Sequence, residues 1–375
     1  MKATHIPHRF NDDLLANEGD LESAGQLYPE IVHVLDHPEL RHLFSSYDVP
    51  ANRAKKRSRR FGVWAVICVT LSLWLLAIEP ILHLYPEEGA YHALLRWIEQ
   101  SLVGVSLAFA VAGALLGFFG VLFRRAKSEW LLRRLMTERL RQFHFQTLVR
   151  RIPEIVASLQ GDQAVASFVE QRKAWLATFK MRHEGKLKAE LTSILEGAER
   201  KHFWLHPTSE VDDETLAKVP AHLFEAYRTL RITHQLQFAS YKLGEEDAFL
   251  PSLPRQQAQL FSRIAMVAVL AILALHFGIG AAILWQRGDI GTVLTSVAIM
   301  VAIFALAVRT LEEGFKPERE VERYRHYYLS VCAISDDFDA ASPREKLRVM
   351  EQMERLTSDE MCDFLETHAQ ARFVM

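Results

Sequence analysis

The chain has 375 residues, of which 50% are hydrophobic and 24% are charged, and its formal net charge is −2. A charge so close to zero predicts no field that would attract nucleic acid, so we expect no nucleic-acid partner. The three cysteines, Cys68, Cys332 and Cys362, are scattered. They form neither a CxxC pair nor a disulfide framework, which argues against a zinc ribbon and fits a reducing compartment for Cys332 and Cys362.

Residues 1–60 form a polar N-terminal region with helical periodicity, which Pro29 and Pro38 interrupt. A cleaved signal peptide is not expected, because the first apolar run begins only at Phe61 and is too long. The region ends in a basic flank that consists of Arg53, Lys55, Lys56, Arg57, Arg59 and Arg60. Such a flank favours the cytoplasmic side of a membrane, and it is also suited to binding anionic lipid.

Four windows contain no Asp, Glu, Lys or Arg: 61–78, 101–123, 264–286 and 290–308. A hydrocarbon core of about 30 Å needs about 20 helical residues, and each window approaches or exceeds that length. Apolar helices in soluble cores rarely exceed about 14 residues, so that alternative is disfavoured. The windows predict an all-α integral membrane protein with four transmembrane helices, at about 61–84, 101–123, 262–286 and 290–308. These helices are expected to pair as two hairpins, 61–123 and 261–309. The lipid bilayer is therefore the first partner that the sequence predicts for the protein.

The basic residues next to these windows predict the orientation. The loop 79–100 holds one Arg and four Glu, whereas Arg124 and Arg125 follow the second window. Arg263 precedes the second hairpin and Arg309 follows it. Both hairpins are therefore expected to insert from the cytoplasm. The protein would be a multi-pass protein of the inner (plasma) membrane, with both termini in the cytoplasm.

The polar segments 124–260 and 310–375 are expected to form a cytoplasmic helical domain and a cytoplasmic helical tail. Apolar spacing predicts a helix that continues directly from the second window to Pro153, then helices at about 162–206 and 220–243. Two capping boxes, 342–345 and 357–360, predict the starts of two tail helices.

Small residues recur four positions apart inside the apolar windows. They are Ala108, Ala112, Gly113, Gly117, Gly120, Ala274, Gly278 and Ala282. This spacing lets helix backbones approach closely in lipid, so we expect a helix-packing face. Two alternatives stay open: packing within each hairpin, or packing between the subunits of a homo-oligomer.

His276 lies near the centre of the third window and is an ionisable group at an unusual depth. It is a candidate gate or proton sensor. The alternative is a neutral imidazole bonded to a nearby serine, threonine or backbone carbonyl. The windows otherwise lack charged groups, which disfavours a coupled transporter.

No metal site, cofactor or catalytic motif is expected. Glu199, His202 and His206 share a helical face, and His33 and His37 are four residues apart, but neither set offers further ligands or a second shell. His206 is better explained as a helix-end residue, and Glu79 as a marker of the membrane interface. The chain is predicted not to be an enzyme.

Two stretches resemble a known family. Residues 130–145, with Arg134-x-x-x-Glu138-x-Leu140-Arg141, resemble the helix that follows paired spans in membrane proteins of bacterial nucleotide-signalling defence systems. The second half, from Phe224 to Leu365, is similar in layout to a SLATT domain, the SMODS- and SLOG-associating two-transmembrane effector. It has a polar helix at 234–241, two spans with a short turn, and a charged helix at 318–328. The hairpin occurs twice in this chain, whereas the family is defined by one pair.

The resemblance implies an oligomerising, pore-forming or membrane-disrupting effector in antiviral defence. A sensor or nucleotide-signalling partner protein would control it through the cytoplasmic helices. The residues themselves also allow a non-conducting scaffold that docks cytoplasmic partners and, third, a secondary transporter.

Overall fold

The computed structural model describes residues 11–84, 92–119, 125–196, 204–207, 211–244 and 253–371. Within these residues the protein is helical and has no strand, which confirms the all-α prediction. The chain divides into two compact units. The polar unit combines Met1–Arg53, Glu129–Gly244 and Arg319–Ala369, and the apolar unit combines Ala54–Ser128, Glu245–Glu318 and Gln370–Met375. Segments that the sequence presents as three separate polar regions thus form one body.

The apolar unit contains four helices that are long and apolar enough to cross a membrane. They are the second part of α3 (Pro38–Leu82), α4 (His92–Gly117), α12 (Pro254–Leu284) and α13 (Gly288–Phe315). Their most apolar stretches have mean hydropathies of 2.3, 1.8, 2.5 and 2.4. The four apolar helices that the sequence predicts are therefore present.

The polar unit is a helical assembly around one central helix, α5 (Arg125–Arg150). The other helices are α1 (Glu18–Leu27), α2 (Val32–Leu35), the first part of α3, α6 (Ile152–Ser158), α7 (Asp162–His183), α8 (Leu187–Leu195), α9 (Asp213–Ala217), α10 (Ala221–Tyr227), α11 (His234–Lys242), α14 (Pro317–Ala340) and α15 (Pro343–Gln370). Residues 139–150 of α5 are buried on every side. Polar side chains in this stretch must therefore find partners inside the protein.

Several helix boundaries differ from the sequence prediction. α3 starts at Pro38, where proline is tolerated, and continues through Pro50 into the first apolar window. Good helix formers such as Ala51 and Ala54, both buried, support the helix beyond Pro50. The predicted helix 162–206 breaks between α7 and α8, where Gly185 lies in a turn. The predicted continuation of the second window into α5 crosses 120–124, which lies outside the described residues.

The two capping boxes have different outcomes. α15 begins at Pro343, and the backbone N–H of Ser342 donates to Glu345 Oε2 at 2.9 Å, which confirms the first box. The second prediction is wrong, because α15 runs without a break through Thr357. The Thr357 hydroxyl donates to the carbonyl of Glu354 at 3.1 Å, so it bonds within the helix instead of capping a new one.

The predicted helix 220–243 changes its winding near its middle. Between α10 and α11 the backbone forms a π-helical segment, Arg228–Thr233. The wider π turn is less favourable than the α turn and is often found at functional sites.

Candidate functional site

The contact between α3 and α4 depends on a glycine. A Cβ atom added to Gly113 would lie 2.8 Å from a methyl carbon of Val69 and 3.3 Å from the carbonyl oxygen of Ala65. The hydroxyl oxygens of Ser72 and Ser106 are 3.1 Å apart, and Ser106 also donates to the backbone carbonyl of Ser72 at 3.0 Å. Small residues permit the two backbones to approach this closely, and the hydroxyl hydrogen bonds link the two helices. Gly113 therefore packs within the chain.

α12 and α13 also meet through small residues. A Cβ atom added to Gly278 would lie 3.3 Å from a methyl carbon of Leu294. Ala282 on α12 and Ala298 on α13 are both buried. The turn between the helices is short, and Gln286 in it has a φ of 54°. Gly278 and Ala282 therefore serve the contact between these two helices.

A tryptophan links α3 to α13. Trp74 Nε1 donates to the carbonyl oxygen of Met300 at 2.9 Å, and the Trp74 ring lies 6.2 Å from the ring of Phe304. A buried indole N–H usually needs such a partner. The carbonyl of Met300 belongs to α13, so the bond ties the first apolar helix to the fourth.

The other small-residue positions are less covered than Gly113 by the described part of the chain. A Cβ added to Gly117 would meet no neighbouring helix there within 4 Å, Ala108 and Ala274 are exposed, and Ala112 is half-buried. Gly120 lies outside the described residues. Only 28%, 11%, 11% and 6% of the most apolar stretches of the four helices are buried. The predicted packing residues thus split into a set that pairs helices and a set that faces outward.

His276 lies on the exposed side of α12. Its Nδ1 is 2.8 Å from the carbonyl oxygen of Ile272, one turn earlier in the helix. The imidazole therefore has a backbone partner, and its role as a gate or proton sensor stays a prediction.

The basic flank lies within α3. Arg53, Lys56, Arg57 and Arg60 are exposed, and Lys55 and Arg59 are half-buried. The Arg59 guanidinium lies 5.6 Å from the ring centre of Phe315 at the end of α13. The exposed cations remain accessible to an anionic surface.

The π-helical segment holds an almost fully buried ion pair. Arg231 donates from Nε and Nη2 to the two carboxylate oxygens of Glu354 at 2.8 and 2.9 Å. Their side chains are 2% and 0% exposed. The Tyr227 hydroxyl donates to the same carboxylate at 2.8 Å, and the guanidinium lies 4.4 Å from the ring centre of Phe145. The pair connects the π segment, α5 and α15.

The charges in this pair oppose the effect of burial. Burial is the largest single influence and lowers the pKa of Arg231, but Glu354 and the hydroxyls of Tyr227 and Tyr327 together raise it more, so the guanidinium stays charged. Burial raises the pKa of Glu354, and Arg231 opposes this shift. A bidentate pair with a third donor is the geometry in which a buried ion pair is tolerated.

A second arginine anchors the N-terminal turn to α5. Arg141 Nε lies 2.8 Å from Asp13 Oδ2, and Arg141 Nη1 lies 3.0 Å from Glu138 Oε2. The guanidinium is 5.5 Å from the ring centre of Phe44 on α3. Burial raises the pKa of Glu138, but Arg134 and Arg141 lower it more, so the net shift is downward. The sequence gives no signal for this pairing, because Asp13 and Arg141 are far apart in the chain.

A histidine cluster, His37, His144 and His206, surrounds Phe143 in the core of the polar unit. The ring centres of His37 and His144 are 6.4 Å apart, and His206 lies 4.5 Å from Phe143. Burial is the main cause that lowers the pKa of His37 to about 2, of His144 to about 3 and of His206 to about 4. The three imidazoles are therefore neutral at physiological pH.

Two histidines of the sets considered as metal ligands, His206 and His33, bond to hydroxyl groups. Glu199 and His202 lie outside the described residues. His206 Nε2 is 3.0 Å from the Thr147 hydroxyl, and His33 Nε2 is 2.8 Å from the Ser158 hydroxyl. Within the described ranges, one group places three metal-ligating side chains together: Glu79, His83 and Glu99. The sequence interpretation treated Glu79 alone, although Glu79 and His83 have the spacing of one helical turn.

A charged groove lies between α14 and α15, with a cavity volume of about 630 Å³. Five carboxylates line it: Glu322, Asp359, Glu360, Asp363 and Glu366. Arg319 and Arg323 also line it, and Arg323 forms ion pairs with Glu320 and Glu360. Acidic side chains outnumber basic ones, so the groove is suited to a basic partner.

No protein-family model, no curated protein and no solved structure matches this chain. The class that the fold defines is a helical protein with four apolar helices of membrane-crossing length and a separate polar unit.

Proposed function

We propose that the protein is a multi-pass membrane effector that assembles into oligomers and breaches the membrane under the control of its polar unit. The observation that carries this proposal is the contrast between the two units. The polar unit buries ion pairs and histidines, whereas the apolar helices leave most of their apolar surface uncovered. Lipid and further copies of the chain are the natural partners of that surface.

The uncovered small residues support self-assembly. Gly117 lies one turn beyond Gly113, on nearly the same face of α4, but a Cβ added to it would meet no other helix within 4 Å in the described part of the chain. A groove of about 540 Å³ near the turn between α12 and α13 is lined partly by Gly288, Gly291 and Thr292. Both features would let the backbone of a second copy of the chain approach closely.

Control through the polar unit is supported by α3. The helix belongs to both units, so a change at its N-terminal part has a continuous helical route to its apolar part. In this proposal the exposed cations of the basic flank mark the cytoplasmic end of α3, and the two apolar pairs insert as hairpins. The resemblance to SLATT effectors favours a nucleotide-signalling partner in bacterial antiviral defence.

The test is inducible expression in bacteria with a dye that reports membrane potential. Wild-type protein is expected to depolarise cells when the effector is triggered, and Gly117→Leu is expected to prevent this by blocking close approach. Gly104→Leu is the matched control, because Gly104 is on the opposite side of α4 and a Cβ there also meets no atom within 4 Å. Intact potential with wild-type protein, with and without phage infection, contradicts the proposal. Equal loss of activity in both variants contradicts the role of Gly117.

The acidic groove favours a second function, a non-conducting scaffold. A groove with five carboxylates on the polar unit is suited to docking a basic cytoplasmic partner, and such docking needs no pore. Two results together would favour the scaffold over the effector. The wild-type protein would bind a stoichiometric partner that the double variant Asp359→Asn with Asp363→Asn does not bind, and the protein would cause no dye leakage from liposomes.

A further inference from the structure

Three metal-ligating side chains converge where the end of α3 approaches α4. Glu79 is in the last turn of α3, His83 follows the end of the helix, and Glu99 belongs to α4. One ligand atom of each lies within 4.8 Å of the other two. His83 Nε2 and Glu99 Oε1 are 3.9 Å apart. Residues from two helices thus present one imidazole nitrogen and two carboxylates to a common point.

The two carboxylates lie beside aliphatic side chains. Glu79 and Glu99 border a small cavity of about 10 Å³, roughly the space of one water molecule or one ion. The remaining lining is aliphatic: Leu75, Leu76, Leu82, Leu102 and Val103. In the described part of the chain, no lysine or arginine forms an ion pair with either carboxylate. Two negative groups beside aliphatic side chains are stabilised when a cation lies between them.

We infer that Glu79, His83 and Glu99 bind one Zn²⁺ ion that links the end of α3 to α4. An imidazole with two carboxylates suits zinc, which takes three protein ligands and one water, whereas Mg²⁺ and Ca²⁺ prefer oxygen ligands alone. Zinc–ligand distances of about 2.0–2.2 Å require the three side chains to draw together. His83 is exposed and lies beyond the last residue of α3, so its ring is free to turn toward the carboxylates. This site does not depend on the proposed pore.

The test uses the full chain in lipid nanodiscs, stripped of metal with a chelator and titrated with Zn²⁺ in a calorimeter. We expect one Zn²⁺ ion to bind tightly to each wild-type chain, and excess Mg²⁺ should not displace it. Glu79→Gln, His83→Ala and Glu99→Gln are each expected to weaken this binding by at least about tenfold. The matched controls are His42→Ala and Glu225→Gln, which change exposed residues of the polar unit and should leave the tight binding unchanged.

Two further measurements keep the inference falsifiable when a variant folds poorly. Zn²⁺ should raise the melting temperature of the wild-type protein and of the controls, but not of the three site variants. Co²⁺ bound to the wild-type protein should give the visible spectrum of a four-coordinate site with nitrogen and oxygen ligands. Equal zinc affinity in wild-type and His83→Ala protein, or no tight zinc binding by the wild-type protein, would overturn the site. If the three site variants lose zinc binding but still depolarise cells, the zinc site and the proposed function are separate, and the proposed function is unaffected.

Discussion

Replacing Glu354 by leucine is expected to destabilise the polar unit severely. Arg231 is 2% exposed and has its strongest partner in Glu354, with two hydrogen bonds of 2.8 and 2.9 Å. The guanidinium cannot lose its proton at accessible pH, so Glu354→Leu leaves a buried, uncompensated cation. Breaking such a pair from one side costs about 3–5 kcal/mol.

The reverse substitution, Arg231→Met, should cost less. It leaves a carboxyl group whose pKa burial already raises, and which can therefore take up a proton. The Tyr227 hydroxyl remains as its hydrogen-bond donor. The double variant Arg231→Met with Glu354→Leu should recover much of the stability, because apolar residues of similar volume often replace buried pairs without loss.

The matched control lies on the same π-helical segment. Arg228 forms a bidentate pair with Asp339 at 2.6 and 2.5 Å, but the two side chains are 44% and 46% exposed. Asp339→Leu should therefore cost less than about 1 kcal/mol. Each kcal/mol corresponds to about 2–4 °C in the melting temperature of a unit of this size. Thermal unfolding followed by circular dichroism in detergent should show a fall of about 6–20 °C for Glu354→Leu. Equal shifts for Glu354→Leu and Asp339→Leu would refute the reasoning.

Three further outcomes are expected. The unfolded histidines titrate near pH 6.5 while those of the histidine cluster stay neutral when folded, so the unfolded state gains more protons below that pH. Stability should therefore fall as pH drops from 6.5 toward 4, by about 1.4 kcal/mol per histidine and pH unit, and denaturant unfolding at pH 7.5 and 5.5 measures it. Trp74→Phe should lose about 1 kcal/mol with its hydrogen bond, whereas the exposed Trp64→Phe should not, as thermal melts would show. Gly113→Ala should destabilise by about 1–3 kcal/mol, because its Cβ meets Val69 at 2.8 Å, while Gly117→Ala should be neutral or stabilising in the same melts.

The candidate sites show where sequence reasoning stops. Four small residues on α4 look alike in sequence, yet a Cβ added to Gly113 would meet α3, whereas one added to Gly117 would meet no other helix among the described residues. The difference depends on how the helices are rotated against each other, which periodicity does not specify. At Thr357 the sequence predicts a helix start that the structure lacks. The capping motif is present as a pattern, but α15 packs against the π segment and stays continuous there. Arg231 donates a hydrogen bond to the Thr357 hydroxyl.

The all-helical fold and the four apolar helices could be read from the sequence alone. A helix that crosses a bilayer must be apolar along its full length and must satisfy its own backbone, so composition within one window carries the whole signal. The partners of the charged residues could not be read in this way. Arg231 and Glu354 are separated by 123 residues, and Glu79 and Glu99 lie on different helices. Only the tertiary structure brings such groups together, because ion pairs and metal ligands depend on distances in space, whereas hydrophobic windows depend on neighbours along the chain.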